Sequence, residues 1–206
     1  MIRCVLFDVG NVLLFFSHDR MCRQLATVLD CDSEAVRERL FGSGLAEEYD
    51  CGRISTDAVL ANLAQLAEGS FDAEAARMAA AEIFEPNLEI LPVVEGLGTK
   101  GIRLVLLSNT CEVHSHYYLQ TFDVFALFDG RVLSHEVGLR KPESAIFRAA
   151  LEEAGCAPGE CFFVDDLEQH VVAAREYGID AVVFEGVPQL QAELARRGIE
   201  LGSTGA

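Results

Sequence analysis

The sequence has little positive charge. Its 206 residues include 16 Lys or Arg against 33 Asp or Glu, which gives a formal net charge of −17, and no basic cluster interrupts this excess. A chain with this charge repels nucleic acid and anionic lipid, so we expect neither as a partner. The same charge repels a phosphorylated substrate at long range, so any phosphate site must supply its own local positive charge.

The sequence also lacks the cysteine pattern of a disulfide framework. Its seven cysteines are an odd number, none forms a Cys-x-x-Cys pair, and several lie in apolar runs. Buried thiols in a reducing cytosol explain this pattern best.

Long apolar runs are absent as well. No stretch approaches the ~18 uncharged apolar residues that span a bilayer. The apolar start at 4–16 is interrupted by Asp8 and Asn11, which is not typical of a signal peptide. We therefore expect a cytoplasmic protein with no membrane partner. The sequence leaves a monomer and a homodimer equally open.

Four short apolar runs predict the strands of a buried sheet, at 4–7, 102–107, 161–164 and 181–184. Continuous apolar character is typical of parallel strands that are covered on both faces. Helical patterns at 142–154 and 167–177 separate the later runs, and each ends just before a glycine. Strand–helix–strand alternation predicts an α/β fold with a doubly wound, Rossmann-like parallel sheet.

Residues 17–88 have a different character. They show helical patterns at 19–29, 33–40, 56–67 and 72–84 and no convincing strand. We interpret this block as a helical cap inserted between the first two strands of the sheet. The α/β core then comprises 1–16 and 89–206.

The candidate reactive residues lie near the carboxyl ends of predicted strands. Asp8 follows the first strand, Ser-Asn-Thr at 108–110 the second and Asp-Asp at 165–166 the third, while Lys141 precedes a predicted helix. In open α/β sheets, ligands bind at this rim. Taken singly, these residues also fit a loop start, a helix N-cap or a solvated lysine. The adjacent carboxylates at 165–166 are less ordinary, because they repel each other unless a cation relieves them.

The order and spacing of these segments are more specific than any one of them. Asp-Val-Gly-Asn-Val stands at 8–12, Ser-Asn-Thr at 108–110, Gly-Leu-Arg-Lys-Pro at 138–142 and Val-Asp-Asp at 164–166. This pattern resembles the haloacid dehalogenase (HAD) superfamily, with its four motifs in order over residues 1–185 and a small helical cap between the first two. The Asp-x-Gly-Asn-Val form further resembles a subgroup that includes sugar-1-phosphate phosphatases and the N-terminal domain of soluble epoxide hydrolases.

The resemblance implies a magnesium-dependent phosphatase of a small phosphorylated metabolite, with a sugar phosphate as one candidate substrate. Asp8 would attack phosphorus and form an aspartyl-phosphate that water then hydrolyses. Mg²⁺ would bind the Asp8 carboxylate, the backbone carbonyl of Gly10 and Asp166, with Asp165 in a supporting role.

The resemblance also implies how the phosphate is held. Ser108 and the adjacent Asn109 would bind the phosphoryl oxygens, while Lys141 would neutralise their charge and keep Asp8 ionised. The implied catalytic residues are thus Asp8, Ser108 and Lys141. The lysine would supply the local positive charge that an acidic chain needs for an anionic substrate.

One position departs from the pattern of the superfamily. Its phosphatases usually carry an acid/base aspartate two residues after the nucleophile, and this chain has Gly10 there. Losing positioned proton transfer costs ~10²–10⁴-fold in rate. A sugar 1-phosphate, whose leaving oxygen is less basic than a simple alkoxide, is one substrate class that fits this loss. His18 or Asp19 could replace the acid, although we favour the simpler explanation that Ser17 or Asp19 caps the next helix and His18 is exposed.

Three other histidines have no assigned role. His114 and His116 lie one turn beyond the segment at 108–110 and could border the cleft. His170 could contact the shell of the metal or simply face solvent.

Two other functions stay open. A 2-haloacid dehalogenase would share the nucleophile, but such relatives use no metal and lack the acidic pair at 165–166. The second open function is that of a binding or regulatory protein, which would be catalytically weak because of Gly10. The presence together of Asp8, Ser108 and Lys141 argues against it.

Overall fold

A parallel sheet forms the centre of the computed structural model, which describes residues 1–67 and 69–201. In chain order the strands are β1 (Cys4–Phe7), β2 (Leu14–Phe16), β3 (Phe84–Pro86), β4 (Arg103–Ser108), β5 (Gly130–Leu133), β6 (Cys161–Asp165) and β7 (Asp180–Val183). Within the described residues, five strands pair in parallel in the order β5-β4-β1-β6-β7. The predicted doubly wound sheet is confirmed.

The helices fall into two groups. Between β2 and β3 lie α1 (His18–Leu29), α2 (Ser33–Arg37), α3 (Leu45–Asp50), α4 (Thr56–Ala64) and α5 (Ala73–Ala81), with a π-helical turn at Glu38–Gly42. The others are α6 (Leu91–Thr99), α7 (Glu112–Thr121), α8 (Ser134–Val137), α9 (Ser144–Ala154), α10 (Glu168–Glu176) and α11 (Val187–Arg196). No helix in the described part of the chain is long and apolar enough to cross a membrane.

Strand β1 shows why its sequence is continuously apolar. Val5 and Phe7 pack on one face of the sheet in a cluster with residues of α6 and α11. Cys4 and Leu6 pack on the other face with residues of α9 and α10. Successive side chains of a strand point to opposite faces, so a strand covered on both sides needs apolar residues at every position.

The four predicted strands agree with β1, β4, β6 and β7 to within one residue at each end. Strand β5 was not predicted. It lies at the edge of the sheet beside β4, and its first two residues, Gly130 and Arg131, are half-buried and exposed. A short edge strand of this kind has no continuous apolar run to reveal it.

The helices α1 to α5 surround an apolar cluster of their own. Its buried members come from this segment except for Cys111, and they include Met21, Leu25, Leu29, Val36, Leu40, Val59, Leu60, Leu63, Ala76 and Ile83. A separate cluster supports the division into a cap at 17–88 and a core, whose boundaries stay a prediction. We use "cap" below for the described residues between 17 and 88.

The prediction of no strand within 17–88 was wrong at one point. The helix predicted at 72–84 ends at Ala81, and Phe84–Pro86 forms β3, which pairs antiparallel with β2. Pro86 has no N–H and cannot continue a helix, so the chain turns into an extended segment. The paired strands carry the chain into and out of the cap, and the buried Asn87 Nδ2 donates a hydrogen bond of 2.8 Å to the carbonyl of Val12 at their base.

Two glycines that flank α3 allow a test of how closely the cap approaches the core. Gly52 has a φ of 64°, and a Cβ added there would lie 2.2 Å from the His135 carbonyl oxygen. Gly44 has a φ of 77°, and an added Cβ would meet nothing within 4 Å. We expect Gly44→Ala to cost ~1–2 kcal/mol of unfolding free energy through its left-handed backbone alone. Gly52→Ala should cost clearly more, because the backbones must also separate. Urea unfolding measures both losses, and equal losses would contradict the close contact.

Candidate active site

The buried ammonium group of Lys141 holds the centre of the site. Its Nζ donates to Asp8 Oδ1 at 2.8 Å, to Asp165 Oδ2 at 2.6 Å and to the Leu107 carbonyl at 2.8 Å. The side chain is only 1% exposed, so these three acceptors satisfy its three donors without water. Strands β4, β1 and β6, which are adjacent, bring the acceptors to one edge of the sheet.

The charges of this cluster stabilise one another. Burial alone would lower the pKa of Lys141, but Asp8 and Asp165 outweigh it and raise that pKa. Burial raises the pKa of Asp8 to about 6, against the opposing effect of Lys141. Burial also acts to raise the pKa of Asp165, yet Lys141 and a hydrogen bond with His170 lower it below its usual value. The attraction between the lysine and the two carboxylates thus favours the charged form of each.

Three carboxylates meet at this point in a way that fits a divalent cation. Asp8, Asp165 and Asp166 each offer an oxygen, and these oxygens lie within 4.8 Å of one another. Asp166 Oδ2 accepts a hydrogen bond of 2.9 Å from Asn11 Nδ2. Gly10 lines the same groove as Asp8 and Asp166. Oxygen donors of this kind are the ligands that Mg²⁺ prefers.

Asp165 differs from the other two carboxylates because both its oxygens already have partners. Oδ1 accepts from the Leu167 backbone N–H at 2.9 Å, and Oδ2 accepts from Lys141. His170 Nδ1 contacts both oxygens, at 2.9 and 3.1 Å. His170 is buried, so the alternative that it faces solvent was wrong. Its ring instead fixes the carboxylate that holds Lys141.

The segment after β4 places two side chains with different functions. Asn109 Nδ2 donates to the Lys141 carbonyl at 2.9 Å, and its Oδ1 accepts from the Lys141 N–H at 2.8 Å, so its amide fixes the backbone of the lysine. Ser108 is buried at the end of β4 and lines a cavity, and its hydroxyl makes no hydrogen bond to another described residue. The N-cap residue of α7 is Cys111, so the segment at 108–110 does not serve as that cap.

An aromatic ring stands against the backbone of Gly10. A Cβ added there would lie 2.8 Å from Phe16 Cε1, closer than nonbonded carbon atoms approach. The ring of Phe16 is in turn 5.0 Å from His18 and 6.2 Å from Phe84, between ring centroids. The sequence identified Gly10 as a departure but gave no sign that Phe16 occupies the space beside it.

The remaining histidines lie apart from the carboxylate cluster. Ser17 caps α1, and His18 begins it as an exposed residue whose ring lies 4.8 Å from that of Phe41. His114 Nε2 is 3.2 Å from the Ala80 carbonyl, and burial lowers the pKa of His114 to about 4. His116 is exposed and contacts Gln120.

Two spaces meet at the candidate site. A polar groove of about 490 Å³ contains Asp8, Asp166 and Lys141, and a mainly apolar cavity of about 330 Å³ lies beside it. Residues common to both are Gly10, Phe16, Glu47, Asn109 and Arg140. Arg140 of the core forms an ion pair of 3.3 Å with Glu47 of the cap, which the sequence did not predict.

A match over most of the sequence identifies the family of the chain. The family model of the haloacid dehalogenase-like hydrolases matches residues 2–178. The chain belongs to this family. It is an HAD-type hydrolase, as the four motifs predicted.

Known HAD proteins resemble the chain over most of its length. The D-ribitol-5-phosphate phosphatase of Bacteroides thetaiotaomicron is 24% identical, over 94% of this chain and 97% of that protein. The sesquiterpene phosphatase AstK of Aspergillus oryzae is 22% identical, over 86% of this chain and 87% of its own. An HAD family enzyme of B. thetaiotaomicron, solved with magnesium and inorganic phosphate, has a TM-score of 0.82 at 24% identity and covers 92% of this chain and 99% of its own.

The two lysines of the chain allow a test of the charge cluster. We expect Lys141→Met to cost ~3–5 kcal/mol of unfolding free energy at pH 8 without metal, because two buried carboxylates then face each other unpaired. The loss should be smaller at pH 5. Asp8, whose pKa is about 6 even beside the lysine, gains a higher pKa without it and takes up a proton. Urea unfolding at both pH values measures this difference.

Lys100→Met provides the matched control, because Lys100 is exposed. Its loss should stay within ~0.5 kcal/mol at either pH. A Lys141→Met loss that does not change between pH 8 and pH 5 would contradict the charge balance described above.

Proposed function

We propose that the chain is a magnesium-dependent phosphatase of a small phosphorylated metabolite, with Asp8 as its covalent nucleophile. One observation carries the proposal. Asp8 stands with two further carboxylates close enough to share one cation, while Lys141 neutralises part of their charge. The phosphatase names of the two relatives agree with this chemistry.

The nucleophile would be the free oxygen of Asp8. Oδ1 accepts from Lys141, whereas Oδ2 accepts no hydrogen bond from a described residue. Oδ2 forms a bond to phosphorus, and the bond between phosphorus and the ester oxygen breaks with its electron pair passing to the leaving alcohol. Water then attacks the aspartyl-phosphate, releases inorganic phosphate and regenerates the Asp8 carboxylate. The free hydroxyl of Ser108 can donate to a phosphoryl oxygen, and Lys141 stabilises the charge that develops.

The cation would be held by Asp8, Asp166 and the Gly10 backbone carbonyl. Bound there, Mg²⁺ reduces the repulsion between the anionic nucleophile and the anionic phosphate. Asp165 supports this site by fixing Lys141, since its own oxygens are already bonded. Asn109 acts in the same way, through the backbone of Lys141. The binding of phosphate by Asn109 stays a prediction.

The missing acid restricts the substrate. Gly10 leaves no carboxyl group two residues after the nucleophile, and the Phe16 ring fills that space. The absence of this carboxyl group favours substrates whose leaving group needs no protonation, or substrates that strong contacts hold in another part of the site. A sugar 1-phosphate, typical of the subgroup that the Asp-x-Gly-Asn-Val motif resembles, is supported by Gly10 alone. The names of the relatives do not favour one substrate class, because one relative is a polyol-phosphate phosphatase and the other a sesquiterpene phosphatase.

A haloacid dehalogenase remains the second candidate reaction. The clustered carboxylates argue against it, because the relatives that cleave carbon–halogen bonds lack the acidic pair. Metal-dependent release of p-nitrophenol from p-nitrophenyl phosphate distinguishes the phosphatase from this alternative and from a protein with no turnover. Location in the cytoplasm and the choice between monomer and homodimer stay predictions.

The role of Asp8 can be tested by one isosteric change. We expect Asp8→Asn to lower kcat for p-nitrophenyl phosphate by at least ~10³-fold, since the amide is not a nucleophile. Removal of Mg²⁺ with a chelator should lower the wild-type rate to a similar level. The control is Asp123→Asn, an exposed change outside the site that should keep the wild-type rate. Substantial turnover by a folded Asp8→Asn protein would mean that another group attacks phosphorus.

The space beside Gly10 can be tested by restoring the acid. We expect Gly10→Asp alone to give no gain, because its side chain meets the Phe16 ring. Gly10→Asp with Phe16→Ala should raise kcat/KM for alkyl phosphates by at least ~10-fold over Phe16→Ala alone, since a positioned acid assists a poor leaving group. Rates on p-nitrophenyl phosphate, whose leaving group needs no acid, should change much less. An equal gain from Gly10→Asp without the second change would show that the ring does not block this position.

A further inference from the structure

The apolar cavity beside the candidate site has the size of a ligand site. Its volume of about 330 Å³ falls at the lower end of the ~300–1,000 Å³ that is typical of small-molecule pockets. Core residues Gly10, Ser108 and Asn109 form one part of its wall, and the cap forms most of the rest. The apolar side chains of that wall include Phe16, Met21, Leu25, Leu40, Phe41, Val59, Leu60, Leu63, Phe84 and Val113.

Several polar groups of the wall already have partners within the protein. The Tyr49 hydroxyl and Thr56 Oγ1 are 2.6 Å apart, and Thr56 also donates to Glu112. His114 is bonded to the Ala80 carbonyl. A sugar or polyol placed here would leave hydroxyl groups without partners on this mainly apolar wall, which costs binding energy.

Two further polar residues of the wall are Tyr118 and Arg140. Tyr118 has a buried hydroxyl with no hydrogen bond to a described residue. Tyr118 lines the cavity together with Ser108 and Asn109. Arg140, which pairs with Glu47 and also interacts with Asp50, lies where the cavity meets the groove. The wall is thus mainly apolar, and Arg140 lies where it joins the groove.

We propose that this cavity binds the organic group of the substrate, and that the substrate is the phosphate monoester of an apolar alcohol. The inference rests on the proposed function, because it assigns the cavity to the group that leaves when Asp8 attacks. It favours an apolar ester over the sugar phosphate that Gly10 alone suggests.

Apolar contact in the cavity would also supply binding energy for a substrate that the charge of the chain otherwise repels. Its charge of −17 repels an anionic substrate, and Gly10 provides no acid for the leaving oxygen. Each methylene group moved from water into an apolar cavity strengthens binding roughly fourfold. Binding of a non-reacting group also lowers the barrier when it fixes the phosphate in line with the nucleophile.

The test is a series of n-alkyl phosphates from ethyl to decyl, assayed with Mg²⁺. The basicity of the leaving alkoxide hardly changes along the longer members, so differences in kcat/KM report the binding of the chain. We expect kcat/KM to rise roughly fourfold per methylene until the cavity is full, and at least ~10²-fold in total. The kcat/KM for decyl phosphate should also exceed the kcat/KM for glucose 1-phosphate and for ribitol 5-phosphate. Acetyl phosphate, small and with a good leaving group, reports the chemistry of the site independently.

Two alanines on α5 provide a matched pair of variants. Ala80 lines the cavity and Ala75 does not, although both are half-buried. Ala80→Leu should lower the ratio of kcat/KM for decyl phosphate to that for acetyl phosphate by about tenfold. Ala75→Leu should leave this ratio at the wild-type value. An unchanged ratio in both variants would show that the alkyl group does not occupy the cavity.

The outcomes separate this inference from the proposed function. Turnover of acetyl phosphate with a flat alkyl series overturns the apolar substrate and leaves the phosphatase intact. A preference for glucose 1-phosphate or ribitol 5-phosphate does the same. No metal-dependent turnover of acetyl phosphate contradicts the phosphatase and this inference together.

Discussion

A single ammonium group between two buried carboxylates is the constraint on which the site depends. Lys141 reaches Asp8 on β1 and Asp165 on β6, and burial makes each of these charges costly without the others. The surrounding contacts serve this balance, since Asn109 fixes the backbone of the lysine and His170 fixes Asp165. Because the lysine takes only one oxygen of Asp8, the other oxygen stays available to react. The cluster therefore holds the Asp8 carboxylate in place and leaves one of its oxygens without a hydrogen bond from a described residue.

Much of the core could be predicted from the sequence because its signals are local. A strand covered on both faces must be apolar at nearly every position, and the apolar runs of β1, β4 and β6 show this, whereas β7 lies at the edge with a less buried run. Several of the elements that were missed have weak local signals. Strand β5 is an edge strand with Gly130 and Arg131, helix α3 has six residues, and β3 is defined by its pairing with β2. Such pairing joins residues about 70 positions apart, and no local pattern reports it.

The candidate site could be predicted in outline but not in its contacts. Parallel strands end at the same rim, so the sequence could place Asp8, Ser108 and the pair at 165–166 near one another. Which oxygen bonds to which donor depends on how the side chains pack in three dimensions, even for residues as close in sequence as Asp165 and His170. For that reason the bonding of His170 to Asp165 and the occupied amide of Asn109 came only from the structure. The carboxylates of the cluster could be recognised from their order along the sequence. The contacts that hold them in place could be seen only in three dimensions.

The absence of an acid at Gly10 and the presence of an apolar cavity have a common structural cause. Phe16 ends β2, lies against Gly10 and lines the cavity together with Phe84, which β3 places opposite it. A carboxylate at position 10 would therefore point at an aromatic wall, where it would lose hydration without gaining a partner. An aromatic ring at this position leaves no room for an acidic side chain and at the same time extends the apolar surface toward Asp8. An active site built in this way gives up assistance to the leaving oxygen and can recover part of that loss by binding the leaving group tightly.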